Sequence, residues 1–148
     1  MKKFFFVFGM IMSNFSGMAQ SHPDPATLAI GASAPDFKLP GTDGKTYSLA
    51  NFKASSILVI IFSCNHCPTA QAYEDRIIQL VKEYTQKGVA FAVISPNDPK
   101  AINLGELGYT DMSDTYAEMK IRYKQKGYNF PYLYDGDTQA SSLKYGPV

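Results

Sequence analysis

Residues 57–68 have the sequence ILVIIFSCNHCP, and this stretch indicates both a fold and a chemistry. Its first half, Ile57 to Phe62, is a continuous apolar run rich in β-branched residues and too short for a core helix. Such a run is typical of a strand that is buried on both faces of a parallel sheet. We therefore predict that Ile57 to Phe62 is the central strand and that two cysteines follow it directly.

The residues after Pro68 predict an amphipathic helix that ends at Gly88. Apolar side chains recur there at helical spacing, with charged residues mostly between them. The predicted apolar stripe consists of Tyr73, Ile77, Leu80, Val81 and Tyr84. Val89 to Ile94 then repeats the buried-strand pattern. A strand, a helix and a strand within about 40 residues form a βαβ unit, which implies parallel strands and a right-handed crossover.

Shorter elements are predicted on both sides of this unit. Before it, Asp36 to Leu39 and Thr46 to Leu49 flank a cluster of turn residues and predict a hairpin. After it, a loop of about fifteen residues is predicted from Ser95 to Thr110. The remaining predictions are a helix with a capping box at Thr115 and Glu118 that ends at Gly127, a strand from Pro131 to Tyr134, and a helix from Thr138 to Tyr145.

The aromatic residues are concentrated in the second half of the chain. Seven of the ten tyrosines lie from Tyr109 onward. We interpret them as packing residues whose hydroxyl groups contact water, in preference to a binding site.

The overall composition describes a globular protein and excludes charge as the basis of its function. The chain has 148 residues, of which 45% are hydrophobic and 18% are charged, and its formal net charge is +1. This length suits one domain with its own core. Because no basic field is present, we predict no nucleic-acid partner.

The first residues predict a signal peptide. Lys2 and Lys3 precede a short apolar stretch from Phe4 to Met12, and small residues at Gly17 and Ala19 suit cleavage after Ala19. A permanent membrane anchor would need roughly 20 apolar residues. We therefore expect a periplasmic or secreted protein with no permanent membrane anchor. The predicted division is a signal peptide at 1–19, a linker or lead-in at 20–34 and a domain at 35–148.

The two cysteines lie at i and i+3, where the predicted strand ends and the helix begins. This position puts Cys64 at the positive end of the helix, where backbone N–H groups and the macrodipole favour the thiolate. We predict that Cys64 is the nucleophile and that Cys67, one turn inside the helix, attacks the mixed disulfide that forms. A structural disulfide is the alternative, but a loop this short restrains little chain entropy.

His66 lies between the two cysteines, and Asn65 and Pro68 complete the motif. An imidazolium beside Cys64 would lower the pKa of that thiol further and raise the reduction potential of the pair. The alternative is a solvent-exposed histidine at the start of the helix.

The same residues argue against a bound cofactor. Pro68 follows Cys67 where covalent haem attachment requires a histidine. A closed zinc site needs four ligands, whereas the chain offers two cysteines, His66 and the distant His22. We predict no metal and no cofactor.

Taken together, these residues resemble the redoxin group of the thioredoxin superfamily, which is named for alkyl hydroperoxide reductase and thiol-specific antioxidant. The resemblance covers about residues 31–148 and is carried by Gly31 to Leu39, by Asp43-Gly44-Lys45 and by the motif from Cys64 to Pro68. It implies a thioredoxin-like α/β fold with three α/β/α layers. It also implies thiol-disulfide chemistry, with the active cysteines of the family falling on Cys64 and Cys67.

Three features depart from that pattern. Thioredoxin keeps a buried carboxylate on the strand before its cysteines, whereas no acidic residue lies from Phe52 to Cys67, so the proton relay has no assigned residue. Peroxiredoxins carry Thr or Ser three residues before the reactive cysteine, where Ile61 stands. The cis-proline loop, the C-terminal β-hairpin and the last helix are not recognisable before Val148, and Pro131 resembles an ordinary proline at a strand entry. We therefore expect an incomplete domain and a chain that is a fragment.

The sequence as a whole predicts a thiol-disulfide oxidoreductase that exchanges disulfides with protein thiols or disulfides. Two alternatives stay open, a Cu(I)-binding chaperone that uses the same thiols and a thiol peroxidase with antioxidant activity. Thioredoxin-fold copper chaperones use a distal histidine, and none lies between Cys67 and Val148. Whether the couple oxidises or reduces its partners does not follow from these residues.

Overall fold

The computed structural model describes residues 26–101 and 112–147. In chain order the elements are β1 (Leu39–Pro40), β2 (Thr46–Tyr47), a 3-10 helix (Leu49–Phe52), β3 (Ile57–Phe62), α1 (Pro68–Thr85), β4 (Val89–Ser95), α2 (Tyr116–Lys126), β5 (Tyr132–Tyr134) and α3 (Ala140–Tyr145). The predicted signal peptide, His22 and most of the predicted loop from Ser95 to Thr110 lie outside the described residues.

Three parallel strands form the main sheet in the order β3-β4-β5. Ile57 pairs with Val89 at one end of the β3-β4 ladder and Phe62 pairs with Ile94 at the other, so the parallel strands of the predicted βαβ unit are confirmed. The prediction that Ile57 to Phe62 is the central strand is wrong, because β4 lies in the middle. Among the described residues β3 pairs with β4 alone, and its side chains are at most partly buried.

The core lies on both faces of β4, because successive side chains of a strand point to opposite sides. Phe91 and Val93 belong to one cluster, which includes Val81 of α1 and Met119 of α2. Ala92 and Ile94 belong to the other cluster, which also contains Phe37, Leu39 and Leu133. Helices and the N-terminal segment thus cover opposite faces of one sheet, in agreement with the predicted layers.

The face of α1 that packs on the sheet differs from the predicted stripe. Ile77 is partly buried and Val81 is buried, as expected. The other three residues of the stripe are exposed: Tyr73, Leu80 and Tyr84. Glu74 is buried on this helix because its carboxylate forms an ion pair with Arg122 of α2. Hydrophobic spacing alone could not reveal that a charged residue shares the inward face.

The boundaries of the other elements follow from recognisable caps. Thr115 is the N-cap of α2 and its side chain accepts the backbone N–H of Glu118, as the capping-box spacing predicts. Gly127 ends the helix in the left-handed conformation, with a φ of 63°. The hairpin forms between β1 and β2, and α3 begins at Ala140, slightly later than predicted. No described peptide bond is cis, so Pro131 has the ordinary trans bond that was predicted.

Several of the described tyrosines pack in the core, and some tyrosine hydroxyl groups donate to oxygen atoms of the protein. Tyr116 donates to the carbonyl oxygen of Gly41 at 2.7 Å, and Tyr145 donates to that of Pro35 at 2.6 Å. Each bond ties a helix to the N-terminal segment.

Within the described part of the chain, no helix combines the length and the apolar character that a membrane crossing requires.

Candidate active site

Cys64 and Cys67 lie in the short segment between β3 and α1, and both are half-buried free thiols. Helix α1 begins at Pro68, because proline has the φ of a first helical residue and needs no hydrogen-bond acceptor there. Cys67 is the N-cap, so the prediction that it lies one turn inside the helix is wrong. Cys64 precedes the cap by three residues, and the backbone of the N-cap forms a hydrogen bond with it.

A carboxylate from a distant part of the chain contacts this segment. Asp114 is fully buried and lies immediately before the N-cap of α2. Its Oδ1 accepts the backbone N–H of Asn65 at 2.6 Å and that of His66 at 3.2 Å. Its Oδ2 accepts Nδ2 of Asn97 at 2.7 Å. Asp114 is 48 residues away from His66, so no local pattern around the cysteines or on the preceding strand could identify it.

His66 is paired with this carboxylate. Its Nδ1 lies 2.6 Å from Oδ2 of Asp114, and only 18% of its side chain is exposed. This distance is that of a hydrogen bond, which an ionised carboxylate would accept from a protonated Nδ1. The alternative of a solvent-exposed histidine at the helix start is therefore wrong.

Cys64, His66 and Asp114 form one compact cluster. A sulfur, a ring nitrogen and a carboxylate oxygen from these residues all lie within 4.8 Å of one another. These residue types also occur in metal sites. Here each oxygen of Asp114 already has two nitrogen partners within 3.2 Å, so the carboxylate is occupied by hydrogen bonds.

Asn65 anchors the motif from inside. It is 1% exposed, its Nδ2 donates to the carbonyl oxygen of Ser113 at 2.9 Å, and its Oδ1 accepts the hydroxyl of Tyr132 at 3.1 Å. Its backbone oxygen accepts Nε2 of Gln71 at 2.8 Å. Asn65 is therefore held by three separate parts of the fold.

The environment of Cys64 favours the neutral thiol. Burial raises the pKa of Cys64 to about 12, and the negative charge of Asp114 adds to the rise. Hydrogen bonds from the backbone of Cys67 and the side chain of Asn97 lower the pKa but do not offset the rise. The predicted lowering of this pKa is thus wrong in direction, because burial and the charge of Asp114 outweigh the hydrogen bonds that would lower it.

A cavity of about 480 Å³ opens beside the two thiols. Cys64 and Cys67 line it together with residues that are mainly apolar, among them Ile61, Tyr73 and Pro96. Among the residues that the structure describes, no Asp, Glu, Lys, Arg or His contributes to its lining. The described lining therefore does not require a partner to carry a particular charge in order to approach both sulfur atoms.

Removing the hydroxyl of Tyr132 tests the anchoring of Asn65. We expect Tyr132→Phe to lower the free energy of unfolding by about 1–3 kcal/mol, because Oδ1 of the buried Asn65 loses its donor. Urea denaturation measures the change. Tyr84→Phe on the exposed face of α1 is the matched control, and an equal effect of both variants would contradict the anchoring role.

Comparisons with known proteins agree with this architecture. Residues 30–147 match the AhpC/TSA family. A hypothetical protein from Sinorhizobium meliloti is 30% identical, with a TM-score of 0.70 over 82% of this chain and 61% of that chain. An uncharacterized conserved protein from Geobacillus kaustophilus is 35% identical, with a TM-score of 0.67 over 78% of this chain and 56% of that chain. The chain thus spans less than two thirds of the length of these two proteins.

A more distant structure shares the fold. The thioredoxin domain of a thiol-disulfide oxidoreductase from Bacteroides vulgatus is 16% identical, with a TM-score of 0.59 over 82% of this chain and 76% of that chain. The predicted thioredoxin-like fold is therefore confirmed.

No curated protein matches the sequence. The expectation that the chain is a fragment stays a prediction.

Proposed function

The chain belongs to the AhpC/TSA family, and from this premise we propose that it is a thiol-disulfide oxidoreductase that exchanges disulfides with protein partners through Cys64 and Cys67. The observation that carries the proposal is the pair of free thiols between β3 and α1, beside a cavity whose described lining is mainly apolar. We place the protein in the periplasm or outside the cell, because of the predicted signal peptide at 1–19.

The proposed exchange has two steps. The thiolate of Cys64 attacks one sulfur of a partner disulfide, a new S–S bond forms, and the other partner sulfur leaves as a thiolate that takes up a proton. Cys67, as a thiolate, then attacks the sulfur of Cys64 and releases the second partner thiol. The partner disulfide is thereby reduced by two electrons, and Cys64 and Cys67 are oxidised to a disulfide.

Two serine variants test these roles. We expect Cys64→Ser to reduce a protein disulfide such as that of insulin no faster than buffer does, because serine is not a nucleophile toward disulfides at neutral pH. Cys67→Ser should complete only the first step and accumulate a mixed disulfide at Cys64. Turbidity assays and non-reducing gels measure the two effects.

The neighbouring Ser63→Ala variant is the control, since it changes the same segment without touching a thiol. Exchange at the normal rate by Cys64→Ser would contradict the proposal.

A thiol peroxidase is the second candidate, and the family match is the observation that favours it. Cys64 in such an enzyme must be a thiolate to attack a peroxide. Because Ile61 stands three residues before Cys64, where peroxiredoxins carry Thr or Ser, we expect hydroperoxide consumption to be slower than disulfide exchange. A peroxidase rate that exceeds the exchange rate would reverse this order.

A further inference from the structure

Asp114 lies close enough to Cys64 for its charge to affect the direction of electron flow. The carboxylate is fully buried and holds the two residues between the cysteines through their backbone N–H groups. It belongs to the same compact cluster as the sulfur of Cys64. A fixed negative charge at this distance disfavours a second negative charge on the sulfur.

We propose that Asp114 is a positioning residue that keeps Cys64 protonated in the reduced protein and so makes the Cys64/Cys67 couple an electron donor to protein disulfides. This inference rests on the proposed function and adds the direction of the exchange. The electrons that the couple gives up are restored by a dithiol of lower reduction potential, which reduces the Cys64–Cys67 disulfide and is itself oxidised to a disulfide.

Two features could stabilise a thiolate on Cys64, and both are limited by their surroundings. Nδ1 of His66 lies 2.6 Å from Oδ2 of Asp114, so the ring is engaged by the carboxylate. The backbone of Cys67, the N-cap of α1, gives Cys64 a hydrogen bond that lowers the pKa of the thiol. Burial and the charge of Asp114 together outweigh this hydrogen bond.

Among the described residues, the titratable groups that face Cys64 come from three places in the fold. Cys67 and His66 lie on its own segment, Asp114 lies ahead of α2, and Tyr132 lies on β5. Burial raises the pKa of Tyr132 well above its usual value, so its hydroxyl stays neutral. Within this set, the charge of Asp114 raises the pKa of Cys64 more than the charge of Cys67 does.

The protonation of Cys64 bears on the reduction potential. A reduced dithiol is stabilised when one cysteine ionises, which is why couples with acidic cysteines are oxidants. While Cys64 stays a thiol, the reduced form of the couple does not receive this stabilisation. The disulfide is then comparatively favoured, and the reduced protein passes its electrons on.

The first experiment measures alkylation of Cys64 by iodoacetamide as a function of pH, with the modified cysteine assigned by mass spectrometry. We expect Asp114→Asn to lower the apparent pKa of Cys64. Each unit of that shift should make alkylation near neutral pH about threefold faster, since tenfold more thiolate is partly offset by its lower nucleophilicity. Asp75→Asn removes an exposed carboxylate from α1 and should change nothing.

The second variant, His66→Gln, has the opposite expected sign. It removes the group that matches the charge of Asp114, so Cys64 should be alkylated more slowly than in the unmodified protein. A purely structural role of the cluster would move both variants in the same direction. Slower or unchanged alkylation in Asp114→Asn, or faster alkylation in His66→Gln, would overturn the proposal, and His66→Gln keeps the test available if Asp114→Asn does not fold.

The direction itself is measured by equilibrating the protein with a glutathione buffer whose potential lies about 30 mV above that of thioredoxin, which corresponds to a tenfold excess of the disulfide for a couple with the potential of thioredoxin. We expect at least about 90% of the protein to be oxidised there. A protein that exchanges disulfides but stays mostly reduced in this buffer would refute the direction and leave the proposed function intact. A protein without any exchange would refute the proposed function.

Discussion

Replacing Glu74 with glutamine should lower the free energy of unfolding by about 3–5 kcal/mol, the cost of removing one partner from a buried ion pair. Arg122 donates to both carboxylate oxygens of Glu74, from Nε at 2.7 Å and from an Nη at 2.9 Å. The hydroxyl of Tyr128 donates to the same group at 2.6 Å, and Lys126 forms an ion pair at 2.9 Å. Glutamine keeps the shape of this side chain but leaves the cations without a negative partner.

The matched control is Glu83→Gln on the same helix. Glu83 is exposed and forms an ion pair with the exposed Lys87, so we expect little change from its loss. Urea denaturation of both variants gives the comparison. Equal losses of unfolding free energy in the two variants would contradict a larger contribution of the buried ion pair to stability.

The effect of Glu74 should also depend on pH. Burial alone would raise the pKa of Glu74, but the hydrogen bonds from Arg122, Tyr128 and Lys126 outweigh burial and hold the pKa below its usual value. A carboxylate with a lowered pKa in the folded state stabilises the protein above its unfolded pKa of about 4.3. We therefore expect the difference between the unmodified protein and Glu74→Gln to shrink as the pH falls below that value.

Leu133→Ala should cost about 3–5 kcal/mol of stability, the range for a large side chain removed from a packed core. Leu133 lies on β5 with no exposed surface, and its backbone pairs with Ile94 of β4. It belongs to the cluster that joins the sheet to Phe37 and Leu39 of the N-terminal segment. The substitution leaves a cavity on that face of the sheet.

Leu143→Ala makes the same substitution on α3, where 53% of the side chain is exposed. Its effect should stay within about 0.5 kcal/mol. Thermal or urea denaturation compares the two variants. A small effect at Leu133 would mean that the N-terminal segment does not depend on this contact.

Local patterns were enough to predict most of the elements. The apolar runs at Ile57 to Phe62 and Val89 to Ile94 are strands, and the capping box at Thr115 marks the start of α2. These predictions succeed because strand periodicity, helix periodicity and caps depend on neighbours within a few residues. The family resemblance followed in the same way from short motifs, and the match over residues 30–147 confirms it.

Strand order and the inward face of α1 were not predictable in this way. An apolar run indicates that a strand is buried, but it does not show how many strands lie beside it. It therefore could not show that β4, and not β3, is the central strand. The buried position of Glu74 depends on Arg122, which is 48 residues away in the sequence. A charged residue on a helix predicts exposure unless its partner is known.

By itself, the sequence determined the positions of Cys64 and Cys67 after a strand and before a helix, because a strand, two thiols and a proline in succession are local features. Only the tertiary structure decided the electrostatic environment of those thiols. Asp114 reaches the motif from the start of α2, pairs with His66 and places a negative charge beside Cys64. Charge interactions act through space, so residues far apart in the chain set the ionisation of a cysteine whose own neighbours in sequence predict the opposite shift.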